Sequence, residues 1–197
     1  MTKNNPDLKK LAGFFYEIGT LRKTARSHRQ TLLTDDLSDN ISSHSYRVTI
    51  IGYFLAKLVK ADVNKVVQMC LFHDVSESRS GDQNWIHKRY VKVFEDEIAH
   101  EQLEPLPFGK ELAKLDKEYR ERKTLESKIA KDADIIDQIL LQKEYARAGN
   151  KEAATWLKHE NHIKLLATNI ANKVATQINK QNPSDWWYKG LWTTKRR

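Results

Sequence analysis

The stretch from Leu125 to Tyr145 constrains the fold more than any other part of the chain. Leu125, Ile129, Ala133, Ile136 and Leu140 recur at helical spacing, and Ile135, Ile139 and Leu141 place further apolar residues on other faces. Such a helix is buried on more than one side. Yet Lys131, Asp132, Asp134 and Asp137 sit among these residues. A buried carboxylate without a partner is expensive, so each of these acids must face solvent, pair with a base or bind a cation. Asp134 shares a face with Ala130 and Leu141 and is the one directed inward. Gly149-Asn150 closes the helix.

The other segments also read as helices. Pro6 to Leu21 is amphipathic, with Leu8, Leu11, Phe15 and Ile18 on one face and Pro6 in the first turn. Arg22 to Arg29 reads as a basic loop of solvated charge, with an anion-binding lip as the functional alternative. Thr34 to Ser43 is polar and turn-like. His44 then opens a helix carrying Val48, Ile51, Leu55, Leu58 and Val59, and its spacing from residues 48 and 51 puts it on the apolar face. Val63, Val66, Val67 and Cys70 predict a helix over 63–76. A short helix or lid is expected over Gln83 to Tyr90. Two more helices follow, Val91 to Leu103, stopped by Pro105 and Pro107, and Lys110 to Arg122. Glu152 to Lys180 reads as one long helix ended by Pro183. The tail from Asp185 interleaves Trp186, Trp187, Tyr188 and Trp192 with basic residues, as a cap over a groove or a surface for nucleic-acid bases.

The expected fold class is therefore all-α. With only 7 Gly and 4 Pro in 197 residues, turn formers are scarce. The length suits one domain over 1–150, with a C-terminal helix and aromatic tail over 151–197 packed on it. A net charge of +8 is compatible with nucleic acid, a membrane surface or small phosphorylated ligands, and does not choose among them. The single cysteine, Cys70, excludes an internal disulfide and reads as buried filler. There is no apolar run of about 18 residues to span a membrane, and Met1 to Pro6 lacks the apolar core of a signal peptide. A cytoplasmic location is the resulting expectation.

Chemistry concentrates in Leu71-Phe72-His73-Asp74-Val75-Ser76-Glu77, closed by Gly81-Asp82. An imidazole and a carboxylate on neighbouring residues suit a divalent ion with open coordination positions. His44, His73, Asp74 and Asp134 come from three different apolar helices. Facing a common core, they would form a four-ligand site with room for water and a substrate oxygen. Water activated in that way hydrolyses phosphate esters.

The order of these elements resembles the HD-domain metal-dependent phosphohydrolases, an all-helical family. Ser42-Ser43-His44-Ser45-Tyr46-Arg47, His73-Asp74 with Glu77, Gly81-Asp82, and Lys131-Asp132-Ala133-Asp134 followed by Glu144-Tyr145 are similar to the 5'-deoxynucleotidase branch. The resemblance covers roughly residues 8–150. It implies an HD-domain helical bundle and a homodimer. It implies one divalent ion (Mn, Co, Fe, Ni, Zn or Mg) on His44, His73, Asp74 and Asp134. It also implies a nucleoside 5'-monophosphate as substrate, catalytic roles for Glu77 and Asp82, and substrate contacts from Arg26 and Lys88. Two departures stand out. Ser43 occupies the place of an acid before the first histidine, and Ser27-His28-Arg29 follow Arg26 where the branch commonly has tryptophan. Another phosphate ester, a phosphodiester, or nucleic-acid binding by a protein with a vestigial site are the competing functions.

Overall fold

The structure is a computed structural model and describes residues 7–159, 162–189 and 191. Met1 to Pro6 and residues 192–197 lie outside the described residues, and with them the expectations for Pro6 and Trp192. Within the described residues the chain is helices and turns, with a single β-bridge between Ala25 and Asn40. No described helix is long and apolar enough to cross a membrane.

The helices follow in order: α1 (Leu8–Ile18), α2 (Arg29–Leu32), α3 (Ile41–Val59), α4 (Val63–Phe72), α5 (Glu77–Ser80), α6 (Trp85–Tyr90), α7 (Glu95–Gln102), α8 (Gly109–Glu121), α9 (Leu125–Arg147), α10 (Lys151–His159), α11 (Asn169–Lys180) and α12 (Asp185–Tyr188). Their starts are written in short polar side chains. Asn40 and Ser43 form a reciprocal capping box on α3, Asp62 caps α4, Thr124 caps α9 and Thr168 caps α11. The box starts α3 at Ile41, so His44 lies one turn inside the helix rather than at its opening.

Helix α9 packs against α3, α4, α8, α10 and α11, as its apolar faces demand. The main core joins Val48 and Leu55 of α3, Val66 and Met69 of α4, Ile129, Ile136 and Ile139 of α9, and Ala171 and Ala175 of α11. Helices α3 and α4 meet closely at Gly52. A Cβ there would stand 2.5 Å from the Sγ of the fully buried Cys70. A smaller core gathers Phe14, Val75, Ala99, Leu103 and Leu106.

Several boundaries differ from expectation. In α1 the buried aromatic is Phe14, while Phe15 and Leu8 are exposed. Helix α4 stops at Phe72, leaving His73 as its C-cap, so Glu77 begins a separate helix. Helix α7 starts at Glu95 rather than Val91, with Glu95, Asp96 and Glu97 at its positive end. The single helix expected over 152–180 is broken. The Asp132 carboxylate accepts hydrogen bonds from Ala167 N at 2.7 Å, Thr168 N at 2.9 Å and Thr168 Oγ1 at 2.6 Å, and these fix a turn before α11. Trp186 and Tyr188 of the aromatic tail are exposed.

Candidate metal centre

Helix α3 brings His44, the end of α4 brings His73 and Asp74, and the middle of α9 brings Asp134 to one point. His44 Nε2 lies 3.3 Å from His73 Nε2, 3.4 Å from Asp74 Oδ2 and 3.3 Å from Asp134 Oδ1. His73 Nε2 lies 3.1 Å from Asp74 Oδ2. One ligand atom each from His44, His73 and Asp134 fits within 4.8 Å.

The outer contacts fix how these groups point. His73 Nδ1 stands 2.8 Å from the Cys70 carbonyl, which can only accept, so the proton sits on Nδ1 and the lone pair on Nε2. His44 Nδ1 donates to Asp137 Oδ2 at 2.7 Å, which turns its Nε2 toward the same point. Asp134 Oδ2 is taken by Lys131 Nζ at 2.6 Å, leaving Oδ1 free to face His44. Two imidazole lone pairs and two carboxylate oxygens around one point require positive charge between them, and a divalent cation fits that donor set.

The charge balance says the same. Burial and Arg26 oppose protonation of His44, but Asp134, Asp137 and Asp74 outweigh them and hold its pKa well above 6.5. Burial works against ionising Asp74 as well, yet His73 and His44 keep it well below the usual carboxylate range. Glu77 behaves in the opposite way. Burial first, then Asp74 and Asp82, push its pKa up to about 10, and its Oε2 has no hydrogen-bond partner.

Arg26 is buried at the edge of this cluster, contrary to the solvated loop expected for Arg22 to Arg29. Its NH1 lies 3.8 Å from Asp74 Oδ2 and its Nε 3.7 Å from Asp82 Oδ2, too far for hydrogen bonds. Both nitrogens are buried without a partner. His28 is buried beside it, its Nε2 3.4 Å from Arg26 NH2, and burial and Arg26 push its pKa down to about 4. Asp82 Oδ2 accepts from both the N–H and the Oγ of Ser27. Lys88 is exposed on α6, and no described hydrogen bond or ion pair joins it to the cluster.

Three participants were not singled out from the sequence. Asp137 holds His44 and is itself held by Arg47, which also reaches Glu144 at 2.7 Å. Asn84 is buried; it caps α6 and donates to the Ser27 carbonyl, tying α6 to the Arg26 segment. Asp39 is buried near Arg26 and His44 with an unpartnered Oδ2. For Asp137 the signal was present, since it lies one turn beyond Asp134.

A family model described as HD domain matches residues 18–178. The chain belongs to the HD-domain family. This HD-domain protein is 32% identical over 142 residues to 5'-deoxynucleotidase HDDC2 of Dictyostelium discoideum, a match covering 66% of this chain and 71% of the relative. It is 27% identical over 146 residues to a 5'-deoxynucleotidase of Erwinia tasmaniensis, covering 65% of this chain and 72% of the relative. A conserved hypothetical protein of Pyrococcus furiosus shares the fold at a TM-score of 0.73 and 24% identity, over 86% of this chain and 99% of that one.

Proposed function

We propose that this HD-domain hydrolase is a metal-dependent 5'-nucleotidase that cleaves (deoxy)nucleoside 5'-monophosphates to nucleoside and phosphate. One observation carries the phosphate part. Arg26 is a buried guanidinium with two donors unmet, set beside a cluster that itself calls for a cation. Buried donors without partners are rare, and a guanidinium fork matches phosphate oxygens. The nucleotide part is supported by the two relatives named as 5'-deoxynucleotidases.

In this reading His44, His73, Asp74 and Asp134 hold the ion. Bound there, a divalent ion supplies Lewis acidity and activates water near neutral pH. Arg26 orients the phosphate and offsets charge on its oxygens in the transition state. Glu77, whose burial beside Asp74 and Asp82 favours its protonated form, can give a proton to the departing 5'-oxygen. Asp82, fixed by Ser27 and 3.7 Å from Arg26 Nε, positions the nucleoside. Residues 151–178 belong to the same functional unit. The same reading includes a homodimer and a cytoplasmic location, the second supported by the single buried free cysteine.

The test is phosphate release from deoxy- and ribonucleoside 5'-monophosphates by chelator-stripped protein, with Mn, Co, Ni, Zn or Mg added singly. Release that depends on metal is the expected result. Release only from diesters or non-nucleotide phosphates would overturn the substrate, and release without metal would overturn the mechanism.

A further inference from the structure

Asp134 gives its two oxygens to different partners. Oδ1 lies 3.3 Å from His44 Nε2, in the cluster. Oδ2 lies 2.6 Å from Lys131 Nζ. Lys131 and Asp134 stand three positions apart on α9, where helix geometry puts side chains on one face. Tyr119 of α8 is buried here as well. Its hydroxyl lies 3.5 Å from the same Oδ2, and its ring centroid lies 5.4 Å from that of His73. The Lys131 side chain is only 24% exposed, so solvent screens the pair weakly. Burial works against ionising Asp134, and the Lys131 charge, followed by His44, outweighs it and holds the carboxyl well below its usual range.

This division matters to a divalent ion. A carboxylate can bind a hard cation through one oxygen or through both. An ammonium held on Oδ2 leaves the ion only Oδ1. His44 and His73 each offer one nitrogen, and Asp74 turns a single oxygen, Oδ2, toward both of them. Four donors of one atom each fill four positions of an octahedral ion and leave two. If Asp134 closed on the ion with both oxygens, one position would remain. Hydrolysis by activated water uses two, one for a phosphate oxygen and one for the water.

Metal affinity does not account for the placement of Lys131. A positive charge on the outer oxygen of a ligand repels the incoming cation and draws electron density from the ligand. A site built for tight binding alone would leave that oxygen to a neutral donor. We propose that Lys131 is a positioning residue that keeps Asp134 a one-oxygen ligand and so keeps a second coordination position open. This rests on the metal site of the function proposed above and gives that site a residue outside its ligand set.

Water-proton relaxation of the manganese-loaded full chain tests it, since this reads the number of exchanging waters on the ion without any turnover. Lys131→Met should bind manganese at least as tightly as wild type, because a repelling charge has gone. Its relaxation enhancement per bound manganese should fall ~2-fold, as two open positions become one. Lys131→Arg should keep the wild-type enhancement, because a single oxygen needs one charged donor rather than a fork. Inorganic phosphate should remove part of the enhancement in wild type and nearly all of it in Lys131→Met. An enhancement in Lys131→Met equal to wild type would overturn the proposal and leave Lys131 as a partner for the empty site alone. Loss of manganese binding in Lys131→Met would overturn it as well, because a residue that only restricts Asp134 is not needed for the ion to bind. A wild type that binds no manganese or other divalent ion would overturn the metal site itself, so the two readings fail by different results.

Discussion

Asp137 Oδ2 lies 2.7 Å from His44 Nδ1, the ring nitrogen turned away from the cluster. The pair carries a chain of constraint from the surface inward. Glu144 holds Arg47, Arg47 holds Asp137, and Asp137 fixes the tautomer and orientation of His44. His73 is fixed by a backbone carbonyl instead, so the two imidazoles are aimed by different means.

Asp137→Asn should keep the shape of this contact and lose its charge. Outer-shell partners of this kind are typically worth 10–100-fold in metal affinity. Titration of the stripped variant with manganese against a fluorescent chelator should show a loss in about that range. An affinity equal to wild type would mean that His44 needs no such support.

Asp39 gives a stability signature in acid. Burial, against the pull of Arg26 and His44, pushes its pKa from 3.8 up to about 6. Between those values the native state keeps the proton and the unfolded chain has released it. Stability therefore falls as pH rises through this window, by on the order of 3 kcal/mol from this group. Asp39→Asn should flatten that part of the profile, read from urea unfolding midpoints across the window. Parallel profiles for the two proteins would exclude the assignment.

Asp132→Ala removes the acceptor that anchors the turn between α10 and α11. Two backbone N–H groups and one hydroxyl lose their partner at once. A cost of ~2–4 kcal/mol is expected in urea unfolding, because buried donors are left unmet. Metal content per folded molecule should stay at the wild-type value, which separates this acid from its neighbour Asp134.

What was legible in the sequence follows from the range of the forces involved. Helix α9 announced itself because its pattern is local and long, and His44, His73, Asp74 and Asp134 stood out as metal-binding residue types on apolar helices. The break before α11 was hidden because Asp132, some 35 positions away, supplies the bonds that fix it. The burial of Arg26 and His28 was hidden for the same reason. Their partners Asp74 and Asp82 are brought near only by the fold, and in the sequence they look like any solvated basic run. Phe14 and Phe15 are adjacent, and packing against Val75 and Leu103 decides which one turns inward. The end of α4 at Phe72 was invisible to apolar spacing, since His73 and Val75 continue the pattern without continuing the helix.

Arg26 bears most directly on the chemistry. Arg26→Lys keeps one positive charge between Asp74 and Asp82 but removes the planar fork, and an ammonium cannot present two parallel donors to one phosphate. The loss of one charge-assisted hydrogen bond corresponds to ~10–100-fold in affinity. Binding of inorganic phosphate to the manganese-loaded variant should weaken by that factor, followed by calorimetric titration, while its manganese affinity stays near that of wild type. If phosphate binding is unchanged, the two unmet nitrogens of Arg26 serve something other than an anion. If manganese binding falls with it, Arg26 is instead part of what holds Asp74 in place.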